Sequence, residues 1–519
     1  MNQELNRIVI VGGGSAGWLT AGILAAQLQA KIKESSLEIL LVESPDIATV
    51  GVGEGTWPSM RTTLQKIGVR ELDFIRQCDV SFKQGSKFIN WSKGEGEFYY
   101  HPFSLPENYA DTNLAFAWQE QYFGQVDFAH SVCPQSAICD LNLAPKQSST
   151  PDFAFNLNYG YHLNAGKFSE FLRRHCVENL GVNHCLDKII AIKSHNDGYI
   201  NGLETQKNGM LTGDLFVDCS GFAALLIGQH YDIPFIEKRD ILFNDRAIAA
   251  QVQYSEKEAP IASCTLSIAQ DAGWVWDIAL PNRRGIGYTY ASEHASQKNA
   301  EETLRAYIAS AFSEEVAENT SVRSIKFNPG YRSELWHKNC VAIGISAGFI
   351  EPLEASALVM IERSAQLLAE QLPVNTATMP ILATRFNTVM QYHWEKIIDF
   401  LKLHYVLSQR RDSDYWRRHV AVESQTSSLQ ESLALWRHQP PWKYDTYRID
   451  ELFPSASYQY VLFGMNYPTQ YKLMNQSQDD YRRASFKAFD ACQSKLKQLQ
   501  QGLTSNRALL NGINIKAES

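Results

Sequence analysis

The chain opens on a short β-branched run, IVIV, that breaks into GGGSAG and then into WLTAGILAAQL, where apolar residues recur at helical spacing. LEILLVE follows as a second buried run, so strand, turn, helix and strand form a βαβ unit. GDLFVDCSG (Gly213–Gly221) and NCVAIGISAGF (Asn339–Phe349) are further strands ending in small-residue turns, which predicts a parallel or mixed sheet rebuilt from distant segments. Between them, Tyr254–Ser292 alternates short apolar runs with turns, the pattern of an antiparallel sheet. Beyond about residue 358 the period changes. SALVMIERSAQLLAEQL, TRFNTVMQYHWEKIIDFLKLHYVLSQR and DDYRRASFKAFDACQSKLKQLQQGL all carry apolar residues three and four apart, so helices dominate the C-terminal third. The tail after Thr504 has no strong pattern of its own. The predicted class is α/β (α+β): an α/β domain over residues 1–98 and 151–360 that includes the antiparallel sheet, an excursion or lid over 99–150, and a mainly helical domain over 361–519.

At 519 residues the chain exceeds the size at which a single core keeps growing, which implies two packed lobes. Its 45% hydrophobic and 20% charged residues are the balance of an ordinary globular protein. A net charge of -8, with no run of lysine and arginine, excludes nucleic acid as an expected partner. Nine cysteines without a CxxC pair, and histidines without ligand spacing, predict neither a disulfide framework nor a metal site. MNQELNR leads straight into the first strand without the order of a signal peptide, so a cytoplasmic location is expected. No apolar stretch reaches the roughly 18 to 20 residues that a spanning helix requires, so no membrane partner is expected.

Chemistry concentrates in a few short stretches. Gly12, Gly14 and Gly17 of GGGSAG fit G-x-G-x-x-G, which makes a tight turn, lets a pyrophosphate approach the backbone, and packs helix on strand. Ser15 and Ala16 open the helix whose N-terminus faces the phosphates, and Glu43 ends the next strand where it can accept from ribose hydroxyls. FAD and NAD share this motif, and the chain holds one clear copy of it. In VGVGEGTWP, Gly51, Val52, Gly53 and Glu54 suit either a flavin edge or an ordinary loop. Read as one strand, SFKQGSKFINW puts Lys83 and Lys87 on a face with Trp91, where two snorkelling lysines are the plain reading. In EFYYHPF, His101 and Phe103 alternate, so they either sandwich a flat substrate or join an aromatic core. Trp274 and Trp276 share a strand face in WVWDIALPNR. In GISAGFIEPLEASAL, Glu351 and Glu354 interrupt an apolar stretch where a carboxylate must be exposed, paired or functional, and Gly344 and Gly348 imply a close approach, with the flavin ring a candidate.

Taken in order, GGGSAGW, GVGEGT, SFKQGSKFINW, FYYHPF, WVWDIALP and FIEPLEASAL resemble the flavin-dependent halogenases of the tryptophan halogenase family. The resemblance implies a flavoprotein-monooxygenase-like FAD domain joined to a mainly helical substrate domain. It implies that reduced FAD from a separate NAD(P)H-dependent flavin reductase reacts with O2 to a C4a-hydroperoxide, which halide attacks to give hypohalous acid. That acid would reach Lys83 beside an electron-rich, indole-type aromatic, in a water-poor pocket from which it cannot escape. Glu354 would polarise the halogenating species or take the ring proton, with Glu351 structural. By the same resemblance His101 and Phe103 stack on the substrate, Trp274 and Trp276 screen the flavin, and backbone around Ser356 and Ala357 holds bromide or chloride. A homodimer is left open.

The chain departs from the family pattern in two places. Ala279 follows Ile278 where the pattern runs W-x-W-x-I-P, and Ala355, Ser356 and Ala357 stand where the tryptophan enzymes have S-T-G. Halide preference and the choice between free tryptophan, indole and a larger indole or phenol stay open. Two other readings remain: a flavin-dependent aromatic hydroxylase, and a non-catalytic flavin-binding protein.

Overall fold

The structure is a computed structural model that describes residues 4–46, 53–446, 448–470 and 477–515. Gly51 and Val52 therefore lie outside the described residues. The chain divides into two compact units, one of residues 1–80, 163–238 and 327–394 and one of residues 81–162, 239–326 and 395–519.

In the first unit, the apolar runs at the N-terminus form the middle of a six-stranded sheet. Its order is Trp336–His337, Cys340–Ala342, Leu215–Asp218, Arg7–Val11, Glu38–Glu43 and Asn183–Leu186. All neighbours pair in parallel except the first two. Arg7–Val11 is buried almost throughout, as a strand covered on both faces requires. Ser15–Gln27 packs against two helices, Ala165–Asn179 and Ser356–Glu370. Gly22 allows the first approach: a Cβ there would stand 3.3 Å from the Cys176 Sγ.

In the second unit, a seven-stranded sheet runs Val322–Lys326, Arg246–Gln253, Arg283–Tyr290, Gly273–Ala279, Thr265–Gln270, Gly85–Ile89 and Phe98–Pro102. It is antiparallel except between Thr265–Gln270 and Gly85–Ile89. Helix Gln297–Ala311 lays Leu304 and Ile308 onto Ile248, Val275, Ile286 and Tyr288, the core of this sheet. The predicted antiparallel region is thus present, but by packing it groups with residues 395–519, whereas the patterning places it with the N-terminal strands. Residues 106–151 contain three short helices, Ala115–Gln121, Phe128–Val132 and Gln135–Asp140. Trp118 and Phe128 anchor them on Phe463 at 5.8 and 5.1 Å between ring centroids, so this stretch is packed structure within its unit. Each helix has two turns or fewer, which leaves little apolar period to read.

The C-terminal helical periods become Ser356–Glu370, Met379–Val406 and Gln478–Gly502. Ser477 caps the last by accepting from the Asp480 amide. The tail forms one more helix, Asn506–Ile515. No helix among the described residues is long and apolar enough to cross a membrane.

Candidate active site

The glycine turn shows which of its positions the fold itself requires. Gly12 has φ +115°, and a Cβ there would stand 2.3 Å from the Cys219 carbonyl oxygen. A Cβ at Gly17 would meet the Gly12 carbonyl oxygen at 1.8 Å, so the helix must sit directly on the turn. Gly14 is different, because nothing lies within 4 Å of its added Cβ. It is the N-cap of Ser15–Gln27, where no side chain caps the helix and no acidic residue occupies the first turn. That leaves open space before uncapped helix amides, a cradle that suits a phosphate. Ser15 turns its hydroxyl to Ser169 at 3.0 Å, so its backbone amide is what it offers there.

Glu43 reaches over the same turn: a Cβ on Gly13 would stand 2.1 Å from its carboxyl carbon. The second Glu43 oxygen pairs with His184 Nε2 at 3.1 Å, and His184 packs edge-on against buried Trp18 at 5.1 Å. The motif gave no sign of His184. Asp218, buried at the end of the neighbouring strand, accepts from the Leu226 and Ile227 amides at 2.8 and 2.9 Å and from the Ser220 hydroxyl. It holds the turn against which Gly12 lies. Burial pushes the Glu54 carboxyl up to about 7.

The close approach expected at Gly344 and Gly348 is made by the chain itself. A Cβ on Gly344, at φ +81°, would stand 2.8 Å from the Ala16 Cβ. One on Gly348 would stand 2.7 Å from the Gly330 carbonyl oxygen. Downstream, Glu351 and Glu354 are both buried. Glu354 and Ala355 have φ of 63° and 55°, and helix Ser356–Glu370 starts from Ala355 without a side-chain cap, so backbone amides lead at Ser356 and Ala357. Trp57 Nε1 donates to the Glu354 carbonyl oxygen at 2.6 Å.

In the second unit, SFKQGSKFINW is two strands, Ser81–Lys83 and Gly85–Ile89. Gly85 has φ +151°, and a Cβ there would stand 2.4 Å from the His101 carbonyl oxygen, so the alternation does not run through it. The two lysines part accordingly. Lys87 is half-buried, paired with Asp140 at 2.8 Å and lying over the Phe98 ring at 4.2 Å. Lys83 is 1% exposed.

Ser81–Lys83 pairs antiparallel with Gly160–Leu163 in the register Ser81 to His162 and Lys83 to Gly160. Directly opposed residues share a face, so Lys83, Ser81 and His162 lie on one side, and Gly160 places no side chain opposite the lysine. The Lys83 ammonium lies 5.3 Å from the Phe103 ring centroid. His162 is fully buried, with Nε2 2.8 Å from the Thr265 hydroxyl and no partner at Nδ1. Burial, and then the Lys83 charge, hold its pKa well below the ordinary value, so it is neutral.

The predicted aromatic pair separates. His101 bonds through Nε2 to the Ser457 hydroxyl at 2.9 Å within the cluster of Phe400, Phe453 and Tyr460. Phe103, one residue beyond its strand, lies with Lys83. Trp274 and Trp276 are edge to face at 6.2 Å. A Cβ on Gly287 would stand 2.0 Å from the Trp276 ring, so the indole fills the space that this glycine leaves.

A sequence model of the tryptophan halogenase family matches residues 7–480. The chain belongs to this family. It is 32% identical over 453 residues to a tryptophan 7-halogenase of Lentzea aerocolonigenes, covering 84% of this chain and 83% of that one. A crystal structure of a tryptophan halogenase from Shewanella frigidimarina matches with a TM-score of 0.93 and 47% identity, over 98% of both chains. A tryptophan C-6 flavin-dependent halogenase, a chlorinase from taromycin biosynthesis, matches with a TM-score of 0.89 and 29% identity, over 98% of this chain and all of that one. The protein is a flavin-dependent halogenase, and the open cradle at Gly14 fits a dinucleotide.

Proposed function

We propose that this halogenase uses reduced FAD and O2 to halogenate an indole-type arene with bromide or chloride, and that Lys83 and Glu354 carry the reaction. The relatives are named for tryptophan, which supports an indole ring as the reacting group. On this reading FAD is held by the turn Gly12, Gly14, Ser15, Ala16 and Gly17, by Glu43 toward the ribose, and by the segment from Gly51 to Glu54, with Gly344 and Gly348 beside it. When bound and reduced, FAD would supply two of the four electrons that O2 takes up, the halide losing the other two and so reaching the oxidation level of hypohalous acid. A separate NAD(P)H-dependent flavin reductase delivers it in that state, and the enzyme works in the cytoplasm.

Uncapped amides at Ser356 and Ala357 hold the halide as donors. Lys83 holds the hypohalous acid at its nitrogen, either by a hydrogen bond or by exchanging an N–H proton for the halogen with release of water, on a buried face opposite Gly160 that keeps bulk water and competing nucleophiles away. Phe103 flanks that nitrogen and offers a ring face to a flat substrate, whereas His101 is held on Ser457 in its own aromatic cluster. Trp274 and Trp276 form the apolar screen. Glu354 takes the proton that leaves the ring carbon as aromaticity returns. The observation that carries this reading is the burial of Lys83 beside an aromatic ring and across from a glycine, because an ammonium with no task keeps its head in water. The test is single-turnover halogenation of an indole panel by Glu354→Gln at fixed FAD saturation. Slowed product formation with unchanged substrate affinity supports the assignment, and wild-type rates overturn it.

A further inference from the structure

We infer that Trp57 is a positioning residue for Glu354, an inference that rests on the role proposed above for that carboxylate. Glu354 (φ 63°, ψ 4°) and Ala355 (φ 55°, ψ 46°) are consecutive residues in the left-handed region, where a residue with a Cβ is strained. Such a conformation persists only where the surroundings over-determine it. Here the Ala355 amide donates to the Pro352 carbonyl at 2.9 Å, and the Trp57 indole N–H donates to the Glu354 carbonyl at 2.6 Å in buried surroundings.

The same short segment grips the following helix a second time. Ser59 donates to one oxygen of buried Glu362 at 3.0 Å, and Thr63 donates to the other. Trp57, Ser59 and Thr63 therefore bind both ends of the stretch from Glu354 to Glu362. Trp57 fixes the peptide plane that follows Glu354, and with it the ψ of that residue and the direction of its Cα–Cβ bond. A right-handed Glu354 would aim its carboxylate elsewhere. The indole makes this bond with the one donor it has; Phe removes that donor together with part of the bicyclic ring.

The test compares wild type, Trp57→Phe, Glu354→Gln and the double variant as FAD-loaded enzymes, with FAD affinity and thermal unfolding measured on each. Trp57→Phe is expected to lower kcat about 10- to 100-fold, while KM for the aromatic substrate and FAD affinity stay within about twofold. In the Glu354→Gln background the same change is expected to cause no further loss, because Trp57 acts through that carboxylate. Should Trp57→Phe fail to fold, benzothienylalanine at position 57, which replaces the N–H by sulfur in the same shape, takes its place in the cycle. Wild-type kcat in the Trp57 variant, or losses that multiply in the double variant, overturns the inference while leaving Glu354 in its role. Full activity of Glu354→Gln alone overturns the role of Glu354, and the inference with it.

Discussion

Gly14→Ala separates cofactor binding from folding at a single methyl group. Gly14 has φ -78° and ψ -174°, a conformation that alanine adopts without strain, and its added Cβ meets nothing within 4 Å. The folded chain should therefore tolerate the change, and the stiffer unfolded chain should raise stability by about 0.4 to 1 kcal/mol. FAD binding should respond in the opposite sense, because the methyl occupies the side on which a pyrophosphate approaches the backbone. Losing one charge-assisted contact between an amide and a phosphate removes about 1.5 to 3 kcal/mol, or about 10- to 150-fold in Kd. The assay is equilibrium titration of the purified chain with FAD by flavin fluorescence, paired with thermal unfolding without FAD. Gly17→Ala is the control that should lose folding itself, since its Cβ would stand 1.8 Å from a carbonyl oxygen. Wild-type FAD affinity in a well-folded Gly14→Ala chain would refute the placement of the phosphates.

Three further outcomes are expected. Lys83→Met should lower halogenation by at least about 100-fold with FAD affinity unchanged, read by product formation and flavin titration in parallel. Glu362, buried between Ser59 and Thr63, has its carboxyl pushed up by burial to about 7 from 4.5. The unfolded chain releases that proton first, so this group makes stability fall as pH rises from about 4.5 to 7. Glu362→Gln should flatten that slope in thermal unfolding and gain as much as about 3 kcal/mol at pH 8. His162 and His419 are held well below their ordinary value of 6.5, chiefly by burial. The unfolded chain then binds the additional protons, stability falls as pH drops below about 6.5, and His162→Gln with His419→Gln should weaken that acid limb.

Patterns that depend on near neighbours were legible in the chain. The βαβ unit follows from IVIV and its glycine turn, and the long helices follow from their apolar period, down to the end of Gln478–Gly502. Lys83 was legible as a candidate but its burial was not, because the alternation that grouped it with Lys87 is interrupted at Gly85 by contact with a strand that follows in the chain. Membership of the antiparallel sheet was hidden for a related reason: strand period reports what a segment is, and says nothing of which distant segment covers it. Gly344 and Gly348 did mark close approaches, but small residues do not reveal what approaches. His162, His184 and Glu362 carry no local signal, since a single polar residue in a strand or helix acquires meaning only from a partner far along the chain. Trp57 is the same case, its partner lying 297 positions away.

The central claim is halogenation through Lys83, and mass spectrometry of the product tests it most directly. Purified protein, FAD, NADH, a flavin reductase, O2 and bromide are incubated with tryptophan, indole and simple phenols, alongside Lys83→Ala, catalase-treated and protein-free controls. The account predicts a product with the bromine isotope doublet that requires the protein and bromide and disappears in Lys83→Ala. A product carrying oxygen from O2, formed equally well without halide, or brominated product at wild-type yield from Lys83→Ala, would contradict it.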